Sequence, residues 1–151
     1  MSDSSFLPRS PAVGPGSCHE ARKKVLIVDD EYLIRYSLQR LLKREGYAAF
    51  TAGSGLEALR IFEERKPEIV ILDIHLPDSN DLSLLKTIKE SSPTVAIIMT
   101  TGSPNLQSGV KVMKMGALAY LEKPLDMYNL QTLMRHETGS AANSTVVSDV
   151  L

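Results

Sequence analysis

Short apolar runs alternate with amphipathic stretches between residues 24 and 136. Val25-Leu26-Ile27-Val28 is continuous, apolar and rich in β-branched residues, the pattern of a strand buried on both faces. Ile69-Val70-Ile71-Leu72 and Val95-Ala96-Ile97-Ile98-Met99 read the same way. Ala48-Ala49-Phe50-Thr51 and Ala117-Leu118-Ala119-Tyr120-Leu121 are weaker strand candidates. The stretches between them carry apolar positions at helical spacing. Ile34, Leu38, Leu41 and Leu42 form one stripe, closed by Gly46. Ser54 reads as a helix N-cap, with Glu57 three residues on and Ala58, Leu59 and Phe62 as the apolar face. Leu82, Leu85 and Ile88 make a third stripe capped by Asn80 or Asp81, Leu106, Val110 and Met113 a fourth ending at Gly116, and Leu130, Leu133 and Met134 the last.

Strand and helix thus alternate through five β-α units. That order implies an α/β domain, a doubly wound (βα)5 fold in which a five-stranded parallel sheet carries helices on both faces. The expected strand order is 2-1-3-4-5, and ligands of such sheets bind beyond the carboxyl ends of the strands, where the order reverses. Here that place is the ends of strands 1 and 3.

Composition narrows the class. A chain of 151 residues suits one domain, and a net charge of −1 offers no basic footprint for nucleic acid or a membrane surface. No run approaches the roughly 20 apolar residues of a membrane span. The single cysteine, Cys18, excludes an internal disulfide and suits a reducing compartment, so a cytoplasmic location is expected. Residues 1–23, with Pro8, Pro11, Pro15, Gly14 and Gly16, read as a flexible arm, and 137–151, rich in Ser, Thr and Ala, as a flexible tail. The folded domain is expected over 24–136.

The chemistry collects at one edge. Strand 1 ends in Asp29-Asp30-Glu31, strand 3 in Asp73, strand 4 in Thr100-Thr101-Gly102 and strand 5 in Glu122-Lys123-Pro124. Singly, each has an ordinary structural explanation: Asp caps helices, acidic residues favour a helix N-terminus, and Lys-Pro is a common turn. Jointly they place carboxylates, a hydroxyl and a lysine on one edge. Ionised carboxylates so close repel unless a hard cation joins them, and Mg²⁺ suits one or two carboxylates plus a phosphate. A lysine beside them would stabilise phosphoryl oxygens, and Asp73 could act as a carboxylate nucleophile.

Val25-Leu26-Ile27-Val28-Asp29-Asp30-Glu31, Ile71-Leu72-Asp73-Ile74-His75-Leu76-Pro77, Met99-Thr100-Thr101-Gly102 and Tyr120-Leu121-Glu122-Lys123-Pro124 together resemble the receiver domains of two-component response regulators, from about Lys24 to His136. The resemblance implies the flavodoxin-like form of the fold expected above, with Asp73 as the phosphorylated aspartate. It implies Mg²⁺ on Asp30, on Asp73 and on the backbone carbonyl of His75, with Asp29 binding through water. Lys123 would bridge the acidic site and then the phosphate. Thr101 would be the switch hydroxyl, since an ungapped count back from Lys123 reaches it and strand alternation turns Thr100 away. Tyr120 is similar to the switch aromatic, and Pro124 would follow a cis peptide bond. One departure stands out: Asp81 occupies the position where the family commonly has Gly.

The implied partner is a sensor histidine kinase, whose phosphohistidine would phosphorylate Asp73. Phosphate would draw Thr101 inward, Tyr120 would follow, and a surface of helix 4, strand 5 and helix 5 would switch, addressing an output domain, a downstream protein or a second copy. Fewer than 20 residues follow His136, so DNA binding by these residues is not expected, and either a stand-alone receiver or part of a longer regulator fits. Two other classes compete less well. A Mg²⁺-dependent phosphohydrolase wants a second Asp where His75 stands, and a flavin binder wants a phosphate loop where Asp29-Asp30-Glu31 would repel the phosphate. None of His19, His75 and His136 has metal-ligand spacing to another His or Cys.

Overall fold

The computed structural model describes residues 22–79 and 82–139, with side chains through Arg135. Residues 1–21 of the expected arm, 140–151 of the expected tail and the loop positions Asn80 and Asp81 lie outside the described residues.

Among the described residues five strands and five helices alternate: β1 (Lys24–Val28), α1 (Tyr32–Arg44), β2 (Ala48–Ala52), α2 (Gly55–Arg65), β3 (Ile69–Asp73), α3 (Ser83–Ser91), β4 (Ala96–Thr101), α4 (Leu106–Lys114), β5 (Ala119–Glu122) and α5 (Met127–Gly139). All strand pairs are parallel, in the order β2-β1-β3-β4-β5. This is the doubly wound 2-1-3-4-5 sheet expected from the alternation of apolar runs.

Each face of the sheet has its own core. Val25, Ile27, Ile71 and Ile98 pack with Leu38 and Leu42 of α1 and with Leu130 and Met134 of α5. Leu26, Val70, Leu72, Ile97 and Met99 pack with Phe62 of α2, Leu85 and Ile88 of α3, and Val112 of α4. Continuous apolar runs were legible as strands for this reason: with helices on both faces, no position can be polar without being buried.

Local signals set most element ends. Ser54 caps α2, its hydroxyl accepting the Glu57 N–H at 3.2 Å, while the Glu57 carboxylate accepts the Gly53 N–H at 2.8 Å. Gly46 and Gly116 end the turns after α1 and α4 with φ of 100° and 105°, a region open to Gly at no steric cost. α3 departs from expectation. It starts at Ser83 with Leu82 at φ 67° as its N-cap, whose own side chain makes no capping hydrogen bond, and the expected caps Asn80 and Asp81 lie outside the described residues. Leu82 sits in the left-handed turn with its side chain still packed on the core, and Leu84 joins Leu85 and Ile88 on the buried face.

The stripe expected on α4 is also corrected. Leu106 and Val110 are 73% and 45% exposed, whereas Gly109 and Val112 are buried. A large neighbour sets this orientation: the ring of Tyr120 lies beneath Gly109, so the face without a side chain turns inward.

Adjacent residues of β4 face different cores, so truncating either should be costly. Ile97→Ala and Ile98→Ala are each expected to destabilise the fold by about 2–5 kcal/mol in denaturant unfolding. A near-neutral result for one of them would mean that its face is not packed.

Candidate functional site

Parallel register sets the geometry of the acidic edge. Val28 pairs with Leu72, so the chain after β1 and the last residue of β3 emerge side by side. Asp29 and Asp73 are 3% and 5% exposed, while Asp30 and Glu31 are open to solvent. Ligand oxygens of Asp29, Asp30 and Asp73 all lie within 4.8 Å of one another.

One cation sits among them. Lys123, just after β5, places Nζ 2.8 Å from Asp29 Oδ2 and 2.9 Å from Asp73 Oδ2, with Glu31 Oε1 at 3.8 Å. The remaining oxygens are held by backbone: Asp29 Oδ1 accepts the Glu31 N–H at 2.9 Å, and Asp73 Oδ1 accepts the His75 N–H at 3.0 Å. His75 itself is an exposed loop residue. Burial pushes the Lys123 ammonium down, but its hydrogen bonds to Asp29 and Asp73 and their charges prevail, and its pKa is raised.

The donor set fits a hard divalent cation. Three carboxylates, those of Asp29, Glu31 and Asp73, converge on one ammonium, all hard oxygen donors, and both oxygens of Asp29 are already engaged. Asp30 has its carboxylate in solvent, where it can reach a hydrated ion.

Thr101 closes β4, 1% exposed, with its hydroxyl accepting the Ser103 N–H at 3.0 Å. Its carbonyl accepts the Lys123 N–H at 2.8 Å, so the hydroxyl residue and the lysine are bound through backbone. Thr100 is also buried and pairs with Asp73 across the sheet, its carbonyl accepting the Ile74 N–H. Tyr120 is buried at 1% exposure, already on the inner side. Its hydroxyl accepts the Asn105 N–H at 3.2 Å, and its Cδ2 would stand 3.0 Å from a Cβ built on Gly109. The Lys123–Pro124 peptide is cis.

The structure therefore brings Asp29, Asp30, Asp73 and Lys123 together, with Thr101 and Tyr120 on the adjoining strands. Arg35 was missed from sequence. Its Nη1 donates to the Asp29 carbonyl at 2.8 Å, and its guanidinium covers Gly53 and lies 5.7 Å from the Tyr32 ring centroid. An arginine on an amphipathic helix reads as solvated surface, so only the fold reveals what it holds.

Comparison with known proteins agrees with this geometry. The profile of the response regulator receiver domain matches residues 25–135. Sporulation initiation phosphotransferase F of Bacillus subtilis (strain 168) is 33% identical over 113 residues, 75% of this chain and 91% of that protein. The DNA-binding transcriptional regulator NtrC of Proteus hauseri is 37% identical over 103 residues, which are 68% of this chain but 22% of that regulator. A crystal structure of a response regulator from Burkholderia pseudomallei, holding a phosphorylated aspartic acid, a calcium ion and citrate, superposes with a TM-score of 0.69 at 33% identity, covering 74% of this chain and 65% of that one. The chain belongs to the response regulator receiver domains, phosphorelay signalling modules that accept a phosphoryl group rather than turn over a metabolite.

Two predictions follow from the side chains at this edge. The raised Lys123 pKa means its ion pairs contribute fully below pH about 10.5, the ordinary lysine value, and lose that contribution as pH rises through the folded value. Denaturant unfolding of the wild type should therefore weaken more steeply above that pH than unfolding of Lys123→Met, and equal slopes would contradict it. Gly109→Ala should expose Tyr120, seen as a shifted Tyr120 ring and Asn105 amide in NMR spectra, and should gain less than the roughly 1 kcal/mol of a free helical Gly-to-Ala change. An unmoved ring with the full gain would show that the helix simply slides.

Proposed function

We propose that Asp73 is the phosphoryl acceptor of this receiver and that a sensor histidine kinase supplies the phosphoryl group. The observation that carries the reading is the ammonium of Lys123 shared between two buried carboxylates, at 2.8 and 2.9 Å. A purely structural pair would need one carboxylate. The second leaves negative charge at the edge that only a cation balances.

In the proposed step an oxygen of Asp73 attacks the phosphorus, the phosphorus–nitrogen bond of the donor phosphohistidine breaks, and its electron pair stays on the imidazole. Mg²⁺, held by Asp30, Asp73 and the His75 carbonyl with Asp29 acting through water, would neutralise charge on the transferring phosphoryl oxygens. Lys123 turns from Asp73 to a phosphoryl oxygen and keeps Asp29 as its second anchor. The His75 N–H holds the acceptor carboxylate in place before attack. The Burkholderia pseudomallei response regulator, which holds a phosphorylated aspartic acid and a calcium ion, supports aspartyl phosphorylation as the reading. The same edge would admit water to the acyl phosphate, so Mg²⁺-dependent self-dephosphorylation belongs to the reading.

The readout proceeds through Thr101 and Tyr120. Thr101 donates its hydroxyl to the phosphate and gives up the Ser103 N–H. The inner position of Tyr120, bonded to the Asn105 N–H at the start of α4, then becomes the favoured one. The surface so biased carries Leu106, Val110, Met127 and Tyr128, all exposed, on the two helices flanking β5. An output domain, a downstream protein or a second copy of this chain would dock there, consistent with the transcriptional regulators among its relatives.

The deciding experiment is phosphorylation with acetyl phosphate and Mg²⁺. The wild type should acquire one hydroxylamine-labile phosphate, Asp73→Asn none, and chelation of the metal should abolish labelling. A labile phosphate on Asp73→Asn would overturn the assignment.

A further inference from the structure

The loop that follows Asp73 is fastened to a helix that sequence reasoning left out of the site. Asp78 accepts two N–H groups from the first turn of α2: Gly55 to Oδ1 at 2.8 Å and Leu56 to Oδ2 at 3.1 Å. Those amides have no partner within the helix, and the positive end of its dipole favours a carboxylate. The two hydrogen bonds hold the Asp78 carboxyl below its ordinary pKa. Ser54 and Glu57 satisfy the neighbouring amides, so the helix start is complete only with Asp78 present. Gly55 permits the approach: a Cβ there would meet Asp78 Oδ1 and Ser79 Cβ at 3.3 Å.

Between Asp73 and Asp78 the backbone is held at Ile74, His75 and Leu76. The Ile74 N–H goes to the Thr100 carbonyl at 3.0 Å, and the His75 N–H to Asp73 Oδ1 at 3.0 Å. Leu76 and Ser79 exchange N–H···O bonds of 3.1 and 3.2 Å, closing the turn that presents Asp78. Ile74 and Leu76 are buried, while His75 is exposed between them. The anchor at Asp78 thus stands three residues beyond the His75 carbonyl, on the side where the chain next reaches the left-handed Leu82.

We infer that Asp78 is a positioning residue of the phosphotransfer site: docked on α2, it sets the orientation of the His75 carbonyl and, through the His75 N–H, of the Asp73 carboxylate. This rests on the proposed roles of Asp73 and the His75 carbonyl. Among the described residues, the turn without the anchor is held by its own closure and by the buried Ile74 and Leu76. The carbonyl then samples more orientations, and a metal that needs near-ideal octahedral geometry binds less tightly.

The test uses the full chain and reads Mg²⁺ binding to the unphosphorylated protein by NMR titration. Asp78→Ala should raise the Mg²⁺ Kd about 10-fold, the lower end for partners that orient metal ligands, and Asp78→Asn, which keeps one acceptor oxygen, by less. Ser54→Ala is the control, because it weakens the same helix start without touching the loop. It should leave the Kd at the wild-type value. Hydrogen exchange at the Gly55 and Leu56 amides should quicken in both Asp78 variants without metal. An unchanged Kd in Asp78→Asn and Asp78→Ala, or an equal rise in Ser54→Ala, would overturn the inference. Should Asp78→Ala fail to fold, Asp78→Asn against Ser54→Ala decides alone. Asp73→Asn separates the two levels: if it is still phosphorylated, the parent reading fails, whereas blocked labelling with an unmoved Kd in the Asp78 variants sinks only the positioning role.

Discussion

Two carboxylates buried side by side cannot both stay ionised without a cation, and this one constraint organises the edge of the sheet. Parallel register puts Asp29 and Asp73 next to each other, and neither can retreat into solvent. The cation comes from β5, which does not adjoin β3: β4 stands between them. Lysine suits that gap, because a long flexible stem can carry a compact charge across the end of the intervening strand. The strand order 2-1-3-4-5 therefore does more than set a crevice. It requires the clamp to come from a distance, over the top of the strand that carries Thr101.

Alternation then divides the edge into two layers. In β3, Ile71 faces the core under α1 and α5 while Leu72 faces the core under α2, α3 and α4, and β5 repeats this with Leu121 and Tyr120. Asp73 follows Ile71 in parity, and Lys123 follows Leu121. Thr101 follows Met99 and shares the layer of Tyr120. By strand parity the acidic residues and the Thr101–Tyr120 pair thus start from different layers, and the proposed readout has Thr101 reach the phosphate around the strand end. They meet in the backbone, where the Lys123 N–H donates to the Thr101 carbonyl at 2.8 Å.

What was legible in the sequence follows from which physics is local. Val25–Val28 and Ile69–Leu72 announced buried strands because each is an unbroken run of four apolar residues, and Ser54 with Glu57 announced a cap because both partners lie within one turn. The acidic edge was legible because four strand ends carry unusual residues in a fixed order. Leu106 and Val110 misled because helical spacing reveals a stripe but not what the stripe faces. α4 turns its glycine inward to admit a tyrosine ring, leaving two large apolar residues in water. Arg35 and Asp78 were illegible for a related reason. Both read as ordinary surface charges, and their partners are backbone groups, the Asp29 carbonyl and the Gly55 and Leu56 amides, which leave no mark in a sequence.

These two residues show how an exposed chemical edge is kept stiff. Asp30 and His75 are open to solvent, as the proposed ion and phosphodonor would require, so core packing cannot fix them. Arg35 instead grips the carbonyl of Asp29 and rests on Gly53, and Asp78 grips the amides of Gly55 and Leu56. Both anchors converge on the short connection between β2 and α2, a segment with no reacting group of its own. The Asp29 N–H donates to the Ala52 carbonyl at 3.1 Å and completes the bracket from the sheet side. The strand ends at the crevice are thus held laterally against a neighbouring turn. A rigid scaffold is thereby extended beyond the last strand hydrogen bond to loops that have to stay wet.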